Sequence, residues 1–497
     1  MLLKIMLSFL LIGAKQSETK MEHGSTKMNV QSILQQAIKG NRELKTAQLT
    51  IKQKLEAQKM AEAKYDFQLS SDLNAVEMTA TPVEGSFMTV TEQQELGLEA
   101  GISKLIKTGG IVSLQLSSKK IDQTMEINTG QTGPMNISTT TFQNKLNLVI
   151  SHPLLKGFGV DVNQAEIKKA RLSKEVEVIN RRVKAQGIIR DVLISAIDLD
   201  FAYHQYKLLQ GSLKIAEDQL KDTKLLLENG MAKQSDYLAV KANVAQRKVD
   251  LIKIQSGLLA SSLKLKISLG MDLKEKPYLV KPVIDLDLDR YKKPDNFLQK
   301  AVARSLQLKI MSKEIKKINQ DLKVANNQLL PSLDLSLTAG PSGNSTEFGD
   351  SLKRMVSFDA FTITGNISFK YSIGQTGANA ALQTLEYARD SLEITKDDLA
   401  QAIVMSAILA KDSWQSARRR YEAAKISVLS SEEHLKNEEF LYKNGKGTYH
   451  SVMLRMQELD VAKLSMMEAK RDLTAAKIQI LTLANKLLET FNLQLPQ

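Results

Sequence analysis

Two stretches of this chain can be laid over each other without a gap, and that limits its fold more than any motif does. Leu34, Gln35, Ala37, Leu44, Lys45, Ile51, Lys52, Ala61, Leu69, Leu73 and Ala75 meet Leu298, Gln299, Ala301, Leu308, Lys309, Ile315, Lys316, Ala325, Leu333, Leu337 and Ala339. Both copies pass from helical periodicity to strand alternation at the same place. Further along, Tyr206 and Asn229-Gly230 match Tyr421 and Asn444-Gly445. A period this long exceeds any solenoid unit, so it reads as a duplicated half-molecule. The expected first repeat is residues 30–274 and the second 297–490. A charged connection, 275–296, carries Pro277, Pro282 and Pro294 between them.

Proline placement says what each half is made of. None lies between Pro153 and Pro277 or between Pro341 and Pro496. Interior proline breaks helical hydrogen bonds, so both tracts are free to be very long helices. Few aromatics and abundant Ala, Leu, Lys, Gln and Glu agree with that.

The spacing predicts a helix from Val30 to about Lys64, then a β-rich region over 67–150. There Leu96, Leu98, Ala100 and Ile102 alternate with polar or small residues, a Thr108-Gly109-Gly110 turn follows, and Ile111, Leu114 and Leu116 resume. Leu146, Leu148 and Ile150 form another run. The polar stretches Ala80 to Thr91 and Gln123 to Thr141 read as loops. Asp161 to about Leu227 reads as one helix, roughly 100 Å long if unbroken.

Tyr206, Leu209, Leu213, Ala216, Leu220, Thr223 and Leu227 give that helix a coiled-coil seam. After the turn at Asn229-Gly230, Leu238, Ala242, Ala245, Val249, Ile252, Ser256, Leu259 and Leu263 give the next helix another. The pair is therefore an antiparallel hairpin with its tip near residue 230. The second half repeats the plan: a helix from Phe297 to Gln328, strands within 333–371, a helix to Leu441, a tip near 445 and a last helix to about Glu489. A Gly/Ser-rich loop is expected before Phe361.

Phe361, Ile363, Gly365, Ile367, Phe369 and Tyr371 alternate with Thr362, Thr364, Asn366, Ser368 and Lys370. That strand is long enough to cross a bilayer, and strands with one apolar face cross lipid only in a closed barrel. One chain offers too few strands to close it, so a symmetric oligomer is expected. Phe361, Ile363, Ile367, Phe369 and Tyr371 would then face lipid. An edge hairpin on a soluble core is the alternative, but little else in the chain supplies that core.

Met1 to Ala14 has one lysine and an apolar run ending in a small residue, the pattern of a secretory signal peptide. The chain has no cysteine, which suits an oxidising compartment. Its net charge of +13 raises nucleic acid as a partner. Yet Lys and Arg are interleaved with Asp and Glu, as from Lys411 to Lys425, which reads as solvated helix faces. The five histidines are scattered without metal-ligand spacing. Gly445-Lys446-Gly447-Thr448 lacks the upstream glycine and strand of a phosphate loop. No nucleophile with its base and no cofactor motif is present, so neither an enzyme nor a cofactor is expected.

Three local signatures lie in order inside this duplicated plan: Pro153-Leu154-Leu155-Lys156-Gly157-Phe158-Gly159 leaving a strand, Leu330-Pro331-Ser332-Leu333-Asp334-Leu335 entering one, and the paired tips at 229–236 and 442–448. On these the chain resembles the TolC family of outer-membrane efflux channels, over roughly residues 30–489. The resemblance implies an α+β membrane protein with an α-helical barrel in the periplasm and a shared trimeric transmembrane β-barrel. It implies a homotrimer that passes substrates from an inner-membrane transporter, through a periplasmic adaptor, across the outer membrane in efflux or type I secretion. Outer-membrane lipid is then a partner and nucleic acid is not.

By the same resemblance the tips close the entrance. Ser235 and Asp236 match the hydroxyl and acidic positions of the first tip, and Tyr442 a tyrosine of the second. Gly447 stands where the family has arginine, and Lys446 is the replacement charge. Ser451 and Leu454 occupy the places of pore-ring aspartates. The family adds two strands per half, whereas the first half here offers up to four, with 96–117 a candidate extension or enlarged wall. A periplasmic coiled-coil adaptor or scaffold is the rival reading, and would need neither spanning strands nor a whole-plan repeat. A cytosolic nucleic-acid-binding coiled coil would lack the leader and bind with steep salt dependence.

Overall fold

The computed structural model describes residues 30–81, 86–128, 134–271 and 297–495. The expected leader at 1–14 and the connection at 275–296 lie outside them. Helices α1 (Val30–Gly40) and α2 (Arg42–Glu62) lead to strands β1 (Gln68–Thr79), β2 (Met88–Leu105), β3 (Ile111–Asn128) and β4 (Pro134–Pro153). Helices α3 (Val160–Asn163), α4 (Ala165–Glu228) and α5 (Gln234–Ser268) follow. The second half runs α6 (Phe297–Arg304), α7 (Leu306–Gln328), β5 (Ser332–Ser345), α8 (Phe348–Val356), β6 (Ala360–Lys370), α9 (Thr376–Lys443), α10 (Tyr449–Leu483) and α11 (Leu487–Thr490). The chain divides into two compact units, one of Met1–Leu49, Val178–Ile310 and Asp397–Gln497, the other of Thr50–Glu177 and Met311–Lys396. No described helix is long and apolar enough to cross a membrane.

The duplication is visible in the helix ends. Each opening helix, expected to be continuous, is broken at matching positions. Asn41 Oδ1 accepts from the Glu43 and Leu44 amides at 2.8 and 3.3 Å, and Ser305 Oγ from the Leu308 amide at 3.2 Å. These are side-chain N-caps, which satisfy amides a new helix leaves unpaired. Helices α5 and α10 have the same length, 35 residues.

In the first unit, ion pairs fix the direction of packing. Lys248 meets Glu217 at 2.9 Å and Lys264 meets Asp198 at 3.7 Å, so α5 runs back along α4. Lys463–Glu432 (3.0 Å) and Arg420–Asp472 (3.3 Å) set α10 against α9 in the same way. The main core gathers Ile33, Leu34, Ile189, Leu193, Leu199, Leu258, Leu265, Ile478 and Leu487, each worth ~1.5–3 kcal/mol when fully buried.

The α4 seam is buried or half-buried as expected, but the α5 seam is not. Leu238, Ala242, Ala245, Val249, Ile252, Ser256 and Leu259 are exposed, while Val240, Val244, Leu258, Ser262, Leu265 and Leu269 are buried. Helix α5 carries two apolar stripes two residues out of phase. Spacing finds both, and only packing says which one meets its own chain.

In the second unit all six strands form one antiparallel sheet in chain order, β1-β2-β3-β4-β5-β6. The first half thus supplies four strands, and β2 and β3 are inner strands of the sheet, paired on both sides. The stretches expected as loops are shorter than supposed, because β2 starts at Met88, β3 runs to Asn128 and β4 begins at Pro134. Polar side chains hold these ends by cross-strand bonds: Gln123 Nε2 donates to Gln93 Oε1 at 3.0 Å and Thr140 Oγ1 to Asp122 Oδ1 at 2.6 Å. The Gly/Ser-rich loop before β6 contains α8, which periodicity over so short a segment did not reveal.

Two sequence signatures meet at the foot of the sheet. The Leu154 amide donates to the Leu333 carbonyl at 2.7 Å and the Lys156 amide to the Pro331 carbonyl at 3.2 Å. Gly157 and Gly159 have φ of 86° and 106° there, backbone that favours glycine. Asn327 accepts the Gly157 amide at 2.6 Å.

Candidate functional site

Each hairpin tip is built by the same backbone device. At the first, the Gly230 amide donates to Leu227 O (3.0 Å) and the Met231 amide to Leu226 O (2.7 Å). At the second, the Gly445 amide donates to Tyr442 O (3.0 Å) and the Lys446 amide to Leu441 O (2.9 Å). Both are Schellman motifs, whose closing residue must be left-handed. Gly230 and Gly445 have φ of 73° and 72°. Asn229 and Asn444 precede them, and the Asn444 side chain donates to Phe440 O at 2.7 Å.

Ser235 and Asp236 lie in the first turn of α5, where a carboxylate complements the helix dipole. Ser235 Oγ reaches Asp236 Oδ1 at 3.4 Å. On the second tip Thr448 caps α10 by accepting the Ser451 amide at 3.2 Å. Tyr442 stacks at a tilt on Tyr449, 5.9 Å between ring centres. Lys446 is exposed at the turn. Among the described residues no hydrogen bond or ion pair joins Asp236 to Tyr442 or Lys446. A side chain at Gly447 would begin 3.1 Å from the Tyr442 nitrogen, so this turn is too tight for one without adjustment.

A polar contact that ties the hairpins lies deeper, and sequence reading missed it. Arg247 Nη1 donates to Asp460 Oδ2 at 2.9 Å, Arg247 Nε to Asn243 Oδ1 at 2.9 Å, and Ser212 Oγ to Asp460 Oδ2 at 2.7 Å. The Arg247 and Asp460 side chains are only 13% and 19% exposed. One carboxylate thus links α4, α5 and α10. Nearby, burial pushes the Tyr449 phenol well above its ordinary pKa, helped by Tyr442 and Asp222 and opposed by Arg247. Among the described residues its hydroxyl has no hydrogen-bond partner. No local pattern marks Arg247 or Asp460, because each is one charge among many on its helix.

The second candidate surface is one face of the sheet. Register places Leu69, Ile102, Leu114, Leu148, Ala339 and Ile363 in one row across all six strands. Adjacent rows add Ala100, Leu116 and Phe361 on one side and Val112, Ile150 and Leu337 on the other. Phe361, Ile363, Ile367 and Phe369 of β6 all point to this face, and Ile363 and Ile367 are 67% and 68% exposed. Tyr371 lies just beyond the strand end and is exposed. The reverse face carries Ser103, Gln115, Asn147, Thr338 and Thr364. Both edge strands, β1 and β6, are exposed along their whole length. Among the described residues no cluster of three or more His, Asp or Glu could hold a metal ion.

No family model matches this sequence, and no curated protein does. Solved structures do. The chain is similar to the outer-membrane channel OprN, at 13% identity and a TM-score of 0.65, covering 92% of this chain and 89% of that one. It is similar to CusC, whose folding and transmembrane channel formation have been described, at 14% identity and 0.65, covering 92% of each. The outer membrane protein VceC of Vibrio cholerae aligns at 13% identity and 0.61, over 92% of this chain and 96% of that one. This chain has a TolC-like fold. The TolC-like plan of long helical hairpins and an antiparallel sheet spans more than nine-tenths of it, with β2 and β3 inside the sheet. Sequence identity this low carries the fold and no more.

Proposed function

We propose that this protein is the outer-membrane channel and exit duct of a tripartite efflux or type I secretion system. The observation that supports this best is the sheet: an apolar band in register across six strands, a polar reverse face and two unpaired edges. A soluble protein would cover such a band, and exposed edges invite pairing with another copy. Three copies, joined β6 to β1, would close eighteen strands, a size that leaves an aqueous lumen. The helical hairpins then form the periplasmic duct, and the exposed α5 stripe of Leu238, Val249, Ile252 and Leu259 meets a neighbouring copy. Such a protein is a conduit and no enzyme. Its energy comes from an inner-membrane transporter, engaged with a periplasmic adaptor at the tips.

Fractionation of the source cells tests this. Full-length protein in the outer membrane, released only by detergent, supports the duct, since among the described residues only strands can hold it there. Freely soluble protein would favour a coiled-coil adaptor or scaffold instead.

The gate is assigned to Ser235, Asp236, Tyr442 and Lys446, which pair between neighbouring copies when the entrance is shut. Asp236→Ala is expected to raise resting conductance in planar bilayers severalfold. Unchanged conductance in an assembled trimer sinks this assignment.

A further inference from the structure

Helix α8 has three distinct faces. Ser351 and Met355, one turn apart, are buried. Ser351 Oγ lies 2.6 Å from Gly343 O and 2.9 Å from Phe142 O, and accepts from Asn144 Nδ2 at 3.0 Å. Gly343 leaves the room this needs, because a Cβ there would lie 2.0 Å from Ser351 O. Phe348, Leu352 and Val356 follow at four-residue spacing and form a second stripe, 50%, 39% and 67% exposed. Asp350, Lys353 and Arg354 fill the remaining flank.

Its place on the sheet gives those faces meaning. Phe142, Asn144 and Gly343 belong to the apolar face, in the rows just past Leu146 and Pro341, where the band ends. The Phe348 ring meets Phe142 of β4 edge-on at 5.9 Å, and Phe358, after the helix, stacks on Phe361 of β6 at 6.1 Å. The segment therefore crosses the strands instead of running along them. Arg354 Nη1 donates to the Asn344 carbonyl at 3.2 Å, which turns the charged flank toward the far end of β5. The apolar stripe is left on the opposite flank, and through Phe358 on Phe361 the segment joins the band.

We propose that α8 is a lipid-interface helix, lying in the plane of the outer leaflet at the upper rim of the band. Phe348, Leu352, Val356 and Phe358 enter the first acyl carbons, and Lys353 and Arg354 remain among the headgroups. A helix with one apolar and one charged flank takes this position at a membrane boundary, as aromatic girdles do on barrels. The occupant is lipid because the stripe is continuous with the band, which rests on the channel reading above. The helix fixes the depth at which the barrel sits.

The absence of cysteine permits a direct test. Single variants Leu352→Cys, Lys353→Cys and Ile363→Cys would carry an environment-sensitive fluorophore. Each purified protein would be reconstituted into phosphatidylcholine–phosphatidylglycerol vesicles with nitroxide on shallow or deep acyl carbons. Position 352 is expected to be quenched by shallow nitroxide and severalfold less than 353 by aqueous iodide, while 363 is quenched from the acyl region. Equal iodide quenching at 352 and 353, with 363 still in lipid, overturns the helix assignment and leaves the channel standing. Shielding of 352 from both iodide and nitroxide overturns it too, in favour of cover by protein. Loss of lipid quenching at 363 as well overturns the channel reading itself. Gly343→Ala, which crowds Ser351 without touching the apolar flank, should raise iodide access at 352; no change there counts against a seat on the sheet.

Discussion

Arg247 and Asp460 show why one charge can matter more than the whole balance of charges. Most ion pairs here are exposed and contribute little. This pair is shielded, and the Asp460 carboxylate accepts from two helices at once. Removing one partner strands the other in a poorly solvated place, at a cost of about 1–3 kcal/mol. Arg247→Ala and Asp460→Asn are expected to raise amide exchange in the first half of α10 by similar factors, with the double variant little worse than either. Additive effects would show that the two act independently. The sequence holds both residues in plain view among many lysines, arginines and acids, and nothing local separates them. Their value comes from a helix more than two hundred residues away.

The hairpin turns are the elements read most securely from sequence. Asn229-Gly230 and Asn444-Gly445 predict tips, and the left-handed glycines that close them follow from chain stereochemistry alone. A Cβ at Gly230 or Gly445 would touch nothing within 4 Å, so replacement by alanine isolates backbone strain, about 1–2 kcal/mol. Gly230→Ala and Gly445→Ala should speed hydrogen exchange within a turn of each tip and leave the helix middles unchanged. Exchange unaltered at the tips would mean that another conformation closes the hairpin. Helix α8 and the polar ends of β2, β3 and β4 were harder to read. Nine residues are too few for periodicity to stand out, and threonine-rich strand resembles loop until its cross-strand partner is known.

At the scale of the whole molecule, the two added strands are the main departure from two strands per half. β1 and β3 run in the same direction, both antiparallel to their neighbours. Deleting residues 88–128 therefore leaves β1 able to pair with β4 in unchanged polarity. Barrel diameter scales roughly with strand number, so the assembled variant is expected to be narrower by about a third in electron micrographs. An unaltered barrel width would show that β2 and β3 stand outside the wall in the oligomer.

Duplication, helix and strand periods and the glycine turns are properties of neighbouring residues, and the sequence by itself determined them: two halves, two long hairpins and strands with one apolar face. Which α5 stripe is covered, that α8 sits where the apolar band stops, and that Asp460 joins three helices all depend on partners remote in sequence. Periodicity records that a face is apolar, but not what lies against it. Only the tertiary structure decided those contacts, because burial and register are set by the other element and not by the one being read.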